Sequence, residues 1–236
     1  MIQTLAETGS TNADVIERLA AGERLAEGDW LVADRQTAGR GRQGRQWFDG
    51  AGNFMGSTIV RVSPRDPPAH SLALVVGLAV YEAVLPLCPA SAQLMLKWPN
   101  DLLLSGAKLC GVLLEGASGA VVIGIGVNLA AAPDLPDRRS IALSTFGPAP
   151  DRDTFARSLA VSLDKEIERW RTFGLEPLVR RWMAVGTPVG TALSVHEPSG
   201  EALAGTFAGL DTEGTLQLRL EDGTVRAIHA GDVFLI

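Results

Sequence analysis

The stretch LALVVGLAVYEAVLPL, residues 72–87, constrains the fold of this chain more than any other. It is apolar on nearly all sides, so as a helix it has no polar face to offer water and must be enclosed by other elements. It reads as a buried helix over residues 69–86, ended by Pro86. Glu82 and Pro86 interrupt it, and it is shorter than the ~20 apolar residues of a membrane span. The remaining residues must therefore supply layers around it. A chain of 236 residues suffices for one large domain, or one large and one small. Its 46% hydrophobic and 20% charged content is that of a globular protein, with no tract that favours disorder.

The other segments alternate. GSTNADVIERLAAG reads as a helix capped by Ser10 or Thr11 and stopped at Gly22. Strands are predicted at 30–36, 53–62 and 92–98, in a pair turning at Ser105-Gly106, and at 120–129. Residues 153–173 carry a helical stripe of Phe155, Leu159, Leu163, Ile167, Trp170 and Phe173. A second stripe follows Gly174, with Leu175, Leu178, Val179, Trp182 and Met183. From Thr187 the pattern becomes short strands with turns at Pro198-Ser199-Gly200, Glu213-Gly214 and Asp222-Gly223. That tail reads as a small β-barrel, too small to bury much core alone, so it should lean on the larger part. The boundaries are 1–186 and 187–236.

Several function classes recede. MIQTLAETGSTN has neither a basic stretch nor an apolar core, so no signal peptide is predicted, and a soluble cytoplasmic protein is expected. Cys88 and Cys110 form no CxxC pair and His70, His196 and His229 are scattered, so no metal site is predicted. The formal charge of −6 disfavours a polyanion partner.

Against that charge, GRGRQGR (39–45) packs three arginines and three glycines into seven residues. The residues alone admit a solvated loop, a nucleic-acid loop, or a loop folding over one small anion. The last fits best: Arg40, Arg42 and Arg45 offer forked donors to carboxylate or phosphate oxygens. Gly39, Gly41 and Gly44 permit close approach and positive φ. The spacing is not that of a P-loop. Of 21 basic residues only Lys97, Lys108 and Lys165 are lysines, and two of them bracket KWPNDLLLSGAK. In KWPND, Pro99 sets a corner at Asn100 and Asp101, which is also ordinary turn chemistry. GIGVNL lacks the helix that a dinucleotide motif opens, so its glycines read as thinning a strand for something to pack against.

Taken in order, GSTN, RQTAGRGRQGRQW, KWPNDLLLSGAKLCGVLLE and GIGVNL, followed by a small β tail, resemble the biotin protein ligases. The resemblance runs from about residue 7 to the end. It implies an α+β fold: a mixed-sheet catalytic domain of the biotin/lipoate ligase type with a small C-terminal SH3-like β-barrel. It implies biotin and ATP as substrates, Mg2+ entering with ATP, and two steps. Biotin is first activated to biotinyl-5′-AMP with release of pyrophosphate. It then passes to a lysine of a biotin carboxyl carrier protein, the implied partner; relatives include monomers and homodimers. No nucleic-acid or membrane partner is implied, and the motifs start too early for the winged-helix domain that many bacterial relatives carry.

By the same resemblance, Ser10, Thr11, Asn12 and Gln36 would satisfy the ureido ring. Gly39, Arg40, Gly41 and Arg42 would wrap biotin and the acyl phosphate, and Gly111 would leave room for the bicycle. Lys108 would reach the carboxylate and α-phosphate. Arg45, Trp47, Asn100 and Asn128 would fall on the nucleotide side. Asp101 would either take a proton from the acceptor lysine or only orient Arg42 or Lys108. The alternatives are a lipoate or octanoate ligase or transferase of the same fold, and a non-catalytic binding module using the Arg/Gly loop.

Overall fold

A computed structural model describes residues 1–135, 138–197 and 200–236. The first part of the chain runs β1 (Ile2–Leu5), α1 (Thr11–Ala20), β2 (Trp30–Ala33), β3 (Phe54–Val60), α2 (Leu72–Val84), β4 (Leu94–Lys97), β5 (Asp101–Leu104), β6 (Ala107–Ala117), β7 (Ala120–Val127), α3 (Arg152–Phe173) and α4 (Leu175–Val185). Among the described residues its strands form one seven-stranded sheet in the order β1-β2-β3-β7-β6-β5-β4. The β1–β2 pair is parallel and the other neighbours are antiparallel, so the sheet is mixed. The second part runs β8 (Ala192–His196), β9 (Ala202–Leu210), β10 (Leu216–Arg219), β11 (Val225–Ile228) and β12 (Asp232–Leu235). It forms an antiparallel sheet in the order β11-β10-β9-β8-β12. Among the described residues no pairing of β11 with β12 closes this sheet into a barrel, and the predicted turn at Pro198-Ser199 lies outside the described residues.

The apolar helix is enclosed, as its composition demands. Single-turn 3₁₀ segments flank α2 at Ala69–Ser71 and Leu85–Leu87, so the helix ends before Pro86. Leu72, Val75, Val76, Ala79, Val80 and Val84 are buried against the sheet and against the α3 stripe. Ala69–Leu87 is apolar enough to cross a membrane by length and composition, yet most of it is buried within the protein. The α3 stripe is buried from Phe155 to Trp170, but Phe173 lies exposed at the helix end, where Gly174 breaks the helix at φ 73°. The second sheet shares this core through Leu193, Val195, Phe207 and Leu218. Thr187 N donates to Leu96 O at 2.9 Å, and Trp98 Nε1 to Gly214 O at 3.1 Å.

The opposite face of the seven-stranded sheet is where the strand period matters. Val15 and Leu19 of α1 pack there on Leu31, Ile59, Ala120 and Val122. Successive residues of a strand point to opposite faces, so Gly124 and Gly126 continue the face of Ala120 and Val122. On β6 the same face carries Gly111, paired with Gly126. One end of the sheet is thus filled by side chains and the other is floored by glycine. That bare floor is a trough.

Candidate active site

The trough deepens into a cavity of about 670 Å³. All fifteen residues singled out from the sequence line it. Six of its lining side chains are cationic (Arg40, Arg42, Arg45, Lys97, Lys108, Arg138) and three are anionic (Asp49, Asp101, Asp232). A chain that is acidic overall has therefore placed a cationic excess here, which selects an anionic ligand.

One end presents hydroxyl and amide side chains. Ser10 caps α1, its side chain accepting weakly from Ala13 N at 3.5 Å. Thr11 N donates to Gln36 Oε1 at 2.8 Å, and the Thr11 and Ser57 hydroxyls are 2.7 Å apart. Ser57 donates to Asn12 Oδ1 at 2.6 Å, and Asn12 Nδ2 donates to Glu115 at 2.8 Å. The Asn12 amide packs on Gly124, where a Cβ would overlap it.

Above this the Arg/Gly loop holds itself in a hairpin. Trp47 N donates to Gly39 O at 2.9 Å and Gly41 N to Arg45 O at 2.7 Å. Of its three glycines, only Gly44 has positive φ; the turn is completed by Gln43 at φ 56°, and close approach is confined to Gly39. A Cβ on Gly39 would lie 3.1 Å from Trp47 O. Arg42 Nη1 donates to Asn100 Oδ1 at 3.0 Å, and burial lowers its pKa, partly offset by Asp101. Asn100 is otherwise engaged by Val112 O at 2.6 Å, so both ends of its amide are used within the protein. Arg45 pairs with Asp232, and Arg40 reaches Glu115 at 3.5 Å. Trp47 lies across the glycine floor: a Cβ on Gly111 would be 2.9 Å from its ring and one on Gly126 would fall within it. The packing expected for the GIGVNL glycines is thus found, with Asn12 on Gly124 and Trp47 on Gly126.

The charged centre depends on a local irregularity. Asp101 stands opposite Gly111, but the register shifts between Leu102 and Leu103, so that Leu103 faces Lys108. This bulge turns Lys108 onto the face of Asp101 and Gly111; in regular register Leu109 would be there. Lys108 Nζ is 2.6 Å from Asp101 and Lys97 Nζ is 2.9 Å from its other oxygen. Burial alone would raise the Asp101 pKa, but Lys108 and Lys97 outweigh it and hold the carboxyl far below its ordinary value. Burial lowers the pKa of Lys97 despite Asp101. The Trp98–Pro99 peptide at this corner is cis.

Other contributors were not legible in the motifs. Lys97 also donates to Val233 O at 2.7 Å, and residues 231–234 wall the cavity. Arg138 stacks over Phe234 at 5.6 Å. Ser57 and Glu115 complete the polar end. Three buried side-chain polar atoms, Trp30 Nε1, Trp47 Nε1 and Asn128 Oδ1, have no hydrogen-bond partner among the described residues, and the last two belong to the site. Trp47 and Asn128 line the cavity, so a ligand that offers one acceptor and one donor there would satisfy them.

Comparison with known proteins agrees in both parts of the chain. Residues 9–129 match the Biotin/lipoate A/B protein ligase family, and residues 195–236 match the Biotin protein ligase C terminal domain. A biotin--[acetyl-CoA-carboxylase] ligase of Paracoccus denitrificans is 37% identical, covering 98% of this chain and 98% of its own. One of Mycobacterium tuberculosis is 38% identical, covering 98% and 88%. The structure of a biotin protein ligase from Aquifex aeolicus in complex with biotin and ATP superposes with a TM-score of 0.86 at 26% identity, covering 100% of this chain and 98% of that one.

Proposed function

The chain belongs to the biotin/lipoate A/B protein ligase family, and on that premise we propose how its residues divide the work. It is a biotin--[acetyl-CoA-carboxylase] ligase: it activates biotin with ATP to biotinyl-5′-AMP and pyrophosphate, then transfers biotin to a lysine of a carboxyl carrier protein. The observation that carries this reading is one cavity with a hydrogen-bonding end lined by hydroxyl and amide side chains and a cationic end. A ligand with a cyclic urea at one end and a carboxylate at the other fits that polarity.

Bringing a carboxylate onto an α-phosphate sets two anions together. Lys108 and Arg42 offset that charge, and fixed donors aimed at developing charge are the largest single contribution in such sites. Asp101 orients Lys97 and Lys108; so low a pKa makes its carboxylate a weak base, which favours orientation over proton removal from the acceptor lysine. Asn100 holds Arg42. Ser10, Thr11, Asn12 and Gln36 take the ureido ring, with Gly39, Arg40, Gly41 and Gly111 around the rest of biotin. Arg45, Trp47 and Asn128 take the nucleotide, which supplies partners for Trp47 Nε1 and Asn128 Oδ1. Mg2+ enters with ATP as part of that substrate. The Arg/Gly loop screens the mixed anhydride from water until the carrier arrives.

Residues 1–186 form the catalytic part and 187–236 an SH3-like part that closes the nucleotide side, a division supported by the contacts of Asp232 and Val233 with Arg45 and Lys97. The reaction suits the cytoplasm, where ATP and the carrier are made, and asks for no nucleic acid, membrane or second copy of the chain. Pyrophosphate release from ATP with biotin and with lipoate tests the assignment. Release that depends on biotin, followed by label transfer to a carrier domain, is expected; release with lipoate alone would move the chain to the lipoate branch.

A further inference from the structure

We propose that Glu115 is a positioning residue that sets the direction of the hydrogen bonds offered to the ureido ring. The inference rests on the biotin reading of the polar end. It begins from the donors and acceptors of one chain of contacts: Glu115, Asn12, Ser57, Thr11 and Gln36.

A carboxylate oxygen offers acceptors only. Asn12 must therefore turn its NH2 toward Glu115, at 2.8 Å. The reverse orientation would set amide oxygen against carboxylate oxygen. With its NH2 committed, Asn12 presents Oδ1 to Ser57, which must donate to it, at 2.6 Å. The Ser57 hydrogen is then used, so in the 2.7 Å contact with Thr11 the Ser57 oxygen can only accept. Thr11 donates its one hydrogen to Ser57, or to Gln36 Oε1 at 3.1 Å. Either way no hydroxyl hydrogen of Thr11 remains for the cavity that it lines. Thr11 meets the ligand with lone pairs only.

The consequence is selectivity for a ligand that brings N–H donors to this wall, as a cyclic urea does. Without a fixed acceptor at the far end, the Asn12 amide could rotate, the Ser57 and Thr11 hydrogens could reverse, and the wall would tolerate an acceptor. Glu115 lies at the end of the wire, 103 residues from Asn12 in sequence. Gly124 seats the amide between them, since a Cβ there would overlap Asn12. Arg40, 3.5 Å from the same carboxylate oxygen, offsets its charge.

Calorimetric titration of the full chain with biotin, with biotin methylated on a ureido nitrogen, and with ATP separates the possibilities. In Glu115→Ala, biotin Kd should rise about tenfold, the loss of roughly one hydrogen bond. The preference for biotin over its N-methyl analogue should narrow by a similar factor, while ATP affinity stays within about twofold. Glu115→Gln can still accept from Asn12 but, having an NH2 as well, no longer fixes its direction, so biotin Kd should rise less than in Glu115→Ala while the preference over the N-methyl analogue still narrows. Gly124→Ala, which evicts the Asn12 amide from the other side, should reproduce the Glu115→Ala pattern and serves if that variant does not fold. Unchanged biotin Kd in Glu115→Ala would overturn the inference, as would equal weakening of biotin, its N-methyl analogue and ATP. Wild-type protein that binds no biotin would instead overturn the parent reading.

Discussion

Replacing Asp101 by asparagine removes one charge and almost no volume, so its effect is electrostatic. The carboxylate is 7% exposed and the ammoniums of Lys97 and Lys108 are 13% and 18% exposed. Breaking a buried pair by removing one partner costs about 3–5 kcal/mol, because the partner charge stays buried. Lys97 keeps its bond to Val233 O, and the new Asn oxygen can accept from one lysine, which favours the lower figure. About 3 kcal/mol corresponds to a fall in Tm of roughly 6–12 °C for a chain of this size.

The pH dependence carries the sharper test. In wild type the Asp101 pKa is depressed, so its stabilisation is present above the unfolded value of ~3.9 and is lost as pH falls below it. The variant has no such loss, so the gap closes in acid. In the variant Lys97 loses the charge that opposed its desolvation, and its folded pKa falls further. A depressed lysine destabilises while protonated in the unfolded state, so stability recovers as pH rises toward ~10.4. The gap should be widest near neutrality and shrink on both sides. Thermal melts from pH 3 to 10 measure it; a shift below about 2 °C at pH 7, or a gap that widens toward pH 10, would refute the reasoning. If Asp101 orients the lysines, single-turnover adenylation falls together with transfer. Normal adenylation with slow transfer, rescued at higher pH, would reinstate the base.

Lys108→Ala should lower the first half-reaction by ~10²–10³, and Lys108→Arg should also be poor, because a planar fork cannot match the compact ammonium beside Asp101. Near-normal pyrophosphate release would retire that assignment. Arg42→Gly should loosen retention of biotinyl-AMP more than it slows its formation, since it removes the contacts to Asn100 and Gly231; stopped-flow release at the wild-type rate would contradict this. Gly126→Ala puts a methyl inside the Trp47 indole, so ATP affinity should drop while biotin affinity changes less, a split that equilibrium titration of each ligand reads directly.

The motifs were legible because each carries its chemistry within a few residues. The Arg/Gly loop, the KWPND corner and the GIGVNL glycines announce close approach and charge, and the periodicities of α2 and α3 announce burial. What stayed hidden depends on register or on distance. Nothing in LSGAKLCG says that a bulge between Leu102 and Leu103 turns Lys108 to the site. Glu115 reads as one more strand residue until Asn12 is folded onto it. Asp232 and Val233 sit in an ordinary strand and become part of the wall only through Arg45 and Lys97. The tail's alternating pattern announces short antiparallel strands but not whether they close into a barrel, since closure is a matter of edge pairing.

The contact between Arg45 and Asp232 spans 187 residues of chain, and that separation has a kinetic meaning. Loop entropy makes such contacts expensive early and available only once most of the intervening chain is folded. The seven-stranded sheet can form its glycine floor from local hairpins, but the wall that faces the Arg/Gly loop arrives with β12. A partly folded chain would thus have the groups proposed to bind biotin without the strand that contacts the Arg/Gly loop. Competence to hold a reactive anhydride becomes a late property of folding, acquired together with the docking of the second sheet.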